Sequence, residues 1–336
     1  MQSSRTDLAE SPLNPASSSV TVTATARLHF GFLDPSGRSA RPFGSFGLSL
    51  DQPRTRLTLR QAEISTVSGP EADRAGLYLK SIAESCGVNR PYRLKMAEAI
   101  PSHAGLGSGT QLSLAVGSAF AAAEGFDLKP VDIAAQLGRG ARSGIGIATF
   151  EQGGAVLDSG PNLNNEASHG ALPQLVTRVP FPEDWRVLLV FDPKVKGLDG
   201  AAEVTAFETL PAFPEAERAN LETRIGERAL PALAQRDFPT FCAEVGHLQQ
   251  RMGAYFTPLQ GGAYTSPRVA HVLKALRAEG VTGLGQSSWG PTGFAFANSE
   301  AASEALLKAA RTHDHSSALH FAIAQGRNRG AEIVLD

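Results

Sequence analysis

Cysteine is nearly missing from this chain, with Cys86 and Cys242 the only two in 336 residues. Two thiols so far apart in sequence form neither a disulfide framework nor a multi-cysteine zinc site, and a reducing compartment fits them best. An excess of one charge is missing too. The 31 Lys and Arg residues stand against 33 Asp and Glu, the formal net charge is −2, and there is no long basic run. That excludes the electrostatic footprint of a nucleic-acid binder or of a protein held to an anionic membrane, and makes a small molecule the default partner. Long apolar runs are also absent. The most apolar stretch, Leu112 to Ala123, is interrupted by Ser113, Gly117 and Ser118 and is shorter than the roughly 20 residues that cross a bilayer, so it reads as a buried helix. Met1 to Ser19, rich in Ser, Pro and Ala and carrying Asp7 and Glu10, lacks the apolar segment of a signal peptide. It reads as a disordered leader, and elimination assigns the chain to the cytoplasm.

What remains is a composition of 42% hydrophobic and 19% charged residues, enough at this length for two modest cores. Val20, Val22, Ala24, Ala26 and Leu28 alternate with Thr and Arg, the period of a half-buried strand that enters a loop at His29-Phe30-Gly31-Phe32. Strand-like runs follow at Gly47 to Asp51, Arg54 to Arg60 and Tyr92 to Ala99, with a helical pattern between about Ala72 and Cys86. Thr110 to Glu124 and Pro130 to Leu137 read as helices, and Ile147 to Leu157 reads as extended with a bend at Gly153-Gly154. Ser159 to Gly170 is a polar loop, and Trp185 to Phe191 a strongly apolar strand. Ala201 to Arg251 is mostly helical in pattern. Strands are expected at Val281 to Ser288, Gly293 to Ala297 and Ser317 to Ala324, around helices at Pro267 to Glu279 and Ala301 to Arg311. The class is α+β, with one domain over residues 20–195 and another over 196–336.

Ile100-Pro101-Ser102-His103-Ala104-Gly105-Leu106-Gly107-Ser108-Gly109-Thr110-Gln111 places three glycines between a strand and a helix. The first-turn amides of a helix lack intrahelical partners and carry the positive end of its dipole, so they attract an anion that glycine lets approach. Ser108 or Thr110 as a simple N-cap is the competing reading. No Lys follows the last glycine as in a Walker A loop, and the spacing is not that of G-x-G-x-x-G.

Pro101, Gly105, Leu106, Gly107 and Ser108 match the phosphate loop of the GHMP kinase superfamily, with Gly109 where those kinases usually carry a second Ser. Arg27-Leu28-His29-Phe30-Gly31 resembles the first motif of that superfamily, and Gly283 to Gly293 resembles the third, a Gly-rich loop that packs beside the phosphate loop. The resemblance spans nearly everything after Ser19. It implies a two-domain fold: an N-terminal mixed sheet with helices on one side, and a C-terminal α+β sandwich. It also marks a departure. Many of those kinases have S-G-V-D where this chain has Ser143-Gly144-Ile145-Gly146, and glycine cannot serve as general base.

His29-Phe30-Gly31-Phe32-Leu33-Asp34, the phosphate loop, Arg142-Ser143-Gly144-Ile145-Gly146 and Ser287-Ser288-Trp289-Gly290-Pro291-Thr292 together resemble β-ribofuranosylaminobenzene 5′-phosphate synthases. That resemblance implies condensation of phosphoribosyl pyrophosphate with 4-aminobenzoate or 4-hydroxybenzoate, with loss of carbon dioxide and pyrophosphate, toward methanopterin cofactors. It implies Mg²⁺ travelling with the pyrophosphate, no organic cofactor, and leaves a homodimer open. An ATP-dependent kinase and a non-catalytic ligand sensor are the rival functions.

On the implied chemistry, amides from Gly107 to Thr110, helped by Arg27 or Arg142, stabilise the departing pyrophosphate. A carboxylate favours the ribosyl cation. Asp34 is preferred over Glu151, Asp158 and Asp192, although each also suits a solvated turn. His29 is either a proton handler or a buried imidazole satisfied by the backbone. Trp289 either stacks on the aromatic acid or plugs the gap between loops. Ser102, His103, Gly105, Gly109, Gln111, Ser143, Ser287, Ser288, Gly290 and Thr292 complete the expected binding set. His313 and His315 read as a surface turn, and Gln325 to Gly330 offers Arg327 and Arg329 to a ribose phosphate.

Overall fold

The computed structural model describes residues 19–36, 43–161, 172–197 and 200–336. The expected leader up to residue 18 and most of the polar loop at 159–170 lie outside these described residues. Along the first half run β1 (Val20–Asp34), β2 (Phe43–Gln61), β3 (Thr66–Ser68), α1 (Ala72–Ser85), β4 (Tyr92–Glu98), α2 (Ser108–Glu124), α3 (Pro130–Gln136), α4 (Ile145–Glu151), β5 (Ala155–Asp158) and β6 (Leu175–Val179). The second half comprises β7 (Arg186–Phe191), α5 (Gly200–Thr209), α6 (Glu215–Thr223), a π-helical turn at Arg224–Ala229, α7 (Leu230–Ala234), α8 (Phe238–Gln260), α9 (Pro267–Ala278), β8 (Leu284–Gln286), β9 (Gly293–Ala297), α10 (Glu300–Thr312), β10 (His320–Ala324) and β11 (Glu332–Leu335).

The first sheet is mixed, with β1 and β2 paired antiparallel along its spine, β3 parallel to β4, and β5 carrying β6 beyond the outer half of β2. The second sheet, in the order β10-β7-β9-β8, is antiparallel throughout. β1 supplies two cores. Val20, Val22 and Ala24 pack beneath α1 and α2, whereas Ala26, Leu28 and Phe30 join a central core with Phe46, Phe181, Phe241, Phe294 and Phe296 between the two sheets and α8. The rings there meet mostly edge to face or tilted, the arrangement their quadrupoles favour. A third core lies where α9 and α10 cover the second sheet.

Several expectations change. His29 to Phe32 is not a loop but part of the second half of β1, a strand whose register against β2 shifts between Thr25 and Arg27 and again between His29 and Gly31. Such irregularities re-aim side chains, and Arg27 and His29 each border one. The two expected runs at 47–51 and 54–60 are parts of one strand, β2. Ile145 to Glu151 is helical rather than extended. Its residues Ile145 to Phe150 are buried on every side, so no helical periodicity shows in the sequence. Strand β7 pairs with β9 and β10, and β11 returns to pair with β1. By strand pairing the chain therefore enters its second layer at Arg186, ahead of residue 196, and ends back in the first.

Candidate active site

The phosphate loop turns through left-handed backbone at His103, Gly105 and Gly107, with φ of 57°, 78° and 79°. Gly107 occupies the N-cap of α2, and no side chain caps the helix. Neither Ser108 nor Thr110 acts as the N-cap that the competing reading proposed. The first hydrogen bond of α2 runs from the Gln111 N–H to the Gly107 carbonyl, so the amides of Ser108, Gly109 and Thr110 belong to the turn that a helix leaves without intrahelical acceptors.

Arg27 holds this loop from below. Its main-chain N–H donates to the Leu106 carbonyl at 3.1 Å, and its Nη1 donates to the Gly105 carbonyl at 2.6 Å. Two further cations, neither foreseen, converge on the first turn of α2. A Cβ built on Gly109 would stand 3.1 Å from Arg74 Nη2 and 3.5 Å from Arg139 Nη1. Arg74, on α1, also bonds Glu71 at 2.8 Å and Ser102 Oγ at 2.7 Å. Burial raises the Glu71 pKa, but the Ser102 hydroxyl and the Arg74 guanidinium outweigh it and hold the carboxyl below its ordinary range. Arg139 lies against the Tyr78 ring and donates to its hydroxyl.

The third motif locks onto the other two. Ser287 Oγ donates to the Gly105 carbonyl at 2.8 Å and accepts the His29 N–H at 3.0 Å, while the Ser288 N–H donates to the His29 carbonyl at 3.0 Å. The approach is so close that a Cβ on Gly105 would overlap the Ser287 carbonyl oxygen and come within 2.9 Å of the Gly290 oxygen. Gly290 adopts φ 65° and Ser288 φ 55° to make this turn. Thr292 closes it, accepting the Ser287 N–H on its carbonyl.

Trp289 is buried, with ring centroids of Phe256 and Phe207 at 4.4 Å and 5.5 Å, so its indole fills the space beside the loop. Arg142 packs over Phe207 in the same cluster. His29 is 2% exposed, and neither ring nitrogen has a hydrogen-bond partner among the described residues. Burial, and then the charge of Arg27, push its pKa well below the usual histidine value, so the imidazole is neutral. The ring borders a cavity of about 30 Å³ with Met252, Phe256, Gln260 and Trp289, room for about one water molecule.

None of the four expected carboxylates is seen bonded to the phosphate loop, although Asp192 lines a crevice with Pro101, Ser102 and Ala104. Asp34 accepts bonds from the Ser36 N–H and Oγ at 3.1 and 2.6 Å, five residues and about 15 Å further along the strand than His29. Asp158 is a buried hub for Ser45, Gly144 and Gly160, whose hydrogen bonds oppose the upward shift that burial gives its carboxyl. Ser143 bonds this hub rather than the phosphate loop. Asp192 is engaged by Arg268 and Ser266, which hold its carboxyl below the ordinary range although burial raises it. Burial, then Asp132, raises Glu151. His313 pairs with Glu279 at 2.6 Å, and Arg327 donates to carbonyls of its own turn.

Gln111 reaches the Gly146 carbonyl with Nε2 at 2.8 Å. A Cβ on Gly146 would sit 2.8 Å from Thr110 Cγ2, so packing as well as chemistry disfavours a carboxylate there. Among the described residues no group of three or more His, Cys, Asp or Glu side chains is arranged to hold a metal ion. Glu71 is committed to Arg74. These residues do not form a cage for Mg²⁺. No described helix is long and apolar enough to cross a membrane.

Residues 75–154 match the GHMP kinases N terminal domain, and residues 229–315 match the GHMP kinases C terminal domain. The chain is 26% identical over 330 residues to the beta-ribofuranosylphenol 5'-phosphate synthase of Methanothermobacter thermautotrophicus, covering 93% of this chain and 98% of that protein. With the protein of the same name from Archaeoglobus fulgidus the identity is 29% over 321 residues, or 92% and 97% of the two chains. In fold it resembles homoserine kinase from Cytophaga hutchinsonii, with a TM-score of 0.66, 16% identity and coverage of 97% and 100%. Mevalonate diphosphate decarboxylase from Staphylococcus aureus is similar at a TM-score of 0.63, with 14% identity over 94% and 98% of the chains.

Proposed function

We propose that this protein, matched by the N and C terminal domains of the GHMP kinases, is a ribofuranosyl-arene 5′-phosphate synthase. It joins phosphoribosyl pyrophosphate to 4-hydroxybenzoate or 4-aminobenzoate and releases carbon dioxide and pyrophosphate, a step toward methanopterin-type cofactors. The observation that carries the reading is the convergence of Arg74 and Arg139 on the first turn of α2, above a loop braced by Arg27. The names of the relatives support the product class.

In the proposed reaction the bond between the ribosyl carbon and the pyrophosphate oxygen breaks, and its electron pair leaves with the pyrophosphate. A ring carbon of the arene forms the new bond to the ribosyl carbon. The bond to the carboxylate then breaks, its electrons return to the ring, and carbon dioxide departs. Charge grows on the leaving pyrophosphate, so donors fixed in advance accelerate the step. The amides of Ser108 to Thr110 and the guanidiniums of Arg74 and Arg139 are such donors, and Arg27 positions them through the loop carbonyls. The main chain of His29 joins this scaffold to Ser287 and Ser288.

Purified protein incubated with phosphoribosyl pyrophosphate and each aromatic acid is expected to release carbon dioxide and pyrophosphate in equal amounts. Parallel incubation with ATP and small alcohols is expected to give no phosphorylated product. Intact substrates after prolonged incubation with both acids would overturn the proposal, and ATP-dependent phosphorylation would replace it with a kinase.

A further inference from the structure

Trp289 is buried among Phe256 and Phe207, so the aromatic substrate needs another seat. A crevice of about 520 Å³ opens against the start of the phosphate loop, where the two sheets meet. Ligand sites commonly occupy 300–1,000 Å³. We propose that this crevice binds the aromatic acid, a para-substituted benzoate; the assignment rests on the synthase reading above.

Its walls suit a flat ring. Pro53, Pro101, Phe191, Pro291, Phe321 and Ala322 give it apolar and aromatic surface from β2, the phosphate loop, β7, the third motif and β10. Polar side chains interrupt that surface at Gln52, Ser102, Asp192, Lys196, Thr292 and His320. Thr292, on the wall, is fully buried, and its hydroxyl has no hydrogen-bond partner among the described residues. Buried hydroxyls are rarely left unpaired, because desolvation is then uncompensated, and a rotation of the Thr292 side chain toward the crevice would let an oxygen or nitrogen on the ring satisfy this one. Lys196 stands exposed at the rim and supplies a cation for a carboxylate. The carboxylate already there, Asp192, is neutralised by Arg268 and tied to Ser266, so it does not repel an acid.

The crevice also adjoins the phosphate site. Ser102 lines it, and the same Ser102 Oγ accepts a bond from Arg74 at 2.7 Å, whose other terminal nitrogen stands 3.1 Å from the Gly109 Cβ position on α2. One arginine thus spans the distance between the ring's seat and the helix end.

The test titrates 4-hydroxybenzoate into the full chain in the presence of inorganic pyrophosphate, by calorimetry and saturation-transfer NMR, for wild type, Ala322→Trp and Lys196→Glu. Filling the crevice with Ala322→Trp is expected to weaken binding at least tenfold, and Lys196→Glu several-fold, with pyrophosphate affinity unchanged in both. Lys196→Glu, at an exposed position, decides the matter if Ala322→Trp does not fold. Unchanged affinity in the folded variants, or no binding by wild type, overturns the assignment. Turnover is read separately. Synthase activity with an unaltered KM for the arene in the variants would sink the crevice and leave the function standing. Absence of turnover, with binding lost on filling the crevice, would sink the function and leave the site.

Discussion

Replacing Gly105 with alanine is expected to cost clearly more stability than replacing Gly107, although the two residues share nearly the same backbone, φ 78° and 79°. A side chain in the left-handed region costs roughly 1–2 kcal/mol at either position. The surroundings then separate them. At Gly107 a methyl would meet the Arg27 side chain, with Cγ at 3.1 Å and Nε at 3.2 Å, and a side chain gives way more readily than main chain. At Gly105 it would overlap the Ser287 carbonyl and press on the Gly290 oxygen at 2.9 Å, both main-chain atoms of the loop to which Gly105 is bonded. Overpacking against such a wall adds about 1–3 kcal/mol. The expected losses are therefore about 2–5 kcal/mol for Gly105→Ala and about 1–2 kcal/mol for Gly107→Ala. Urea denaturation followed by circular dichroism measures both. Equal losses, or a milder effect at Gly105, would refute the argument that the phosphate loop and the third motif interlock at main-chain contact.

Removing either unforeseen arginine, Arg74→Ala or Arg139→Ala, is expected to weaken pyrophosphate binding about 10- to 100-fold, since hydrogen bonds to charged groups contribute about 1.5–3 kcal/mol; calorimetry with inorganic pyrophosphate checks this. The folded pKa of His29 lies below its unfolded value near 6.5. The unfolded chain therefore takes up a proton that the folded chain refuses as pH falls below that value, and the folded state loses up to about 1.4 kcal/mol per pH unit. Denaturation from pH 7 down to 5 should show a steeper decline for wild type than for His29→Gln, and parallel curves would contradict the assignment of a neutral imidazole. Asp158→Ala should cost about 3–5 kcal/mol by stranding the buried donors of Ser45, Gly144 and Gly160, as read by thermal melting. Burial pushes the Cys242 thiol far up, so a thiol reagent on the native protein should modify Cys86 and spare Cys242, with mass spectrometry locating the adduct.

The parts of the site that were legible in the sequence are those encoded locally. Gly105, Gly107 and Ser108 sit within a few residues of one another, and their spacing specifies both the left-handed turns and the helix start. Ser287 and Gly290 were legible by resemblance, because their loop repeats a recognisable pattern. Arg74 and Arg139 were not, since each is an ordinary basic residue on its own segment, and only the packing of α1 and α3 around α2 brings them to one helix end. Asp34 is an acidic residue beside a motif, and its carboxyl bonds Ser36 within its own turn. Trp289 offered two readings that only burial separates. In the fold, α4 was hidden because Ile145 to Phe150 are buried on every side, and β11 because a four-residue exposed strand carries little pattern of its own. Both are elements defined by what packs on them.

The central claim is that the departing pyrophosphate rests on the amides of Ser108, Gly109 and Thr110, between Arg74 and Arg139. A crystal structure of the protein with phosphoribosyl pyrophosphate tests it most directly. The account predicts pyrophosphate oxygens within hydrogen-bonding distance of those amides and of both guanidiniums. A pyrophosphate bound elsewhere, with the first turn of α2 facing only solvent, would contradict it.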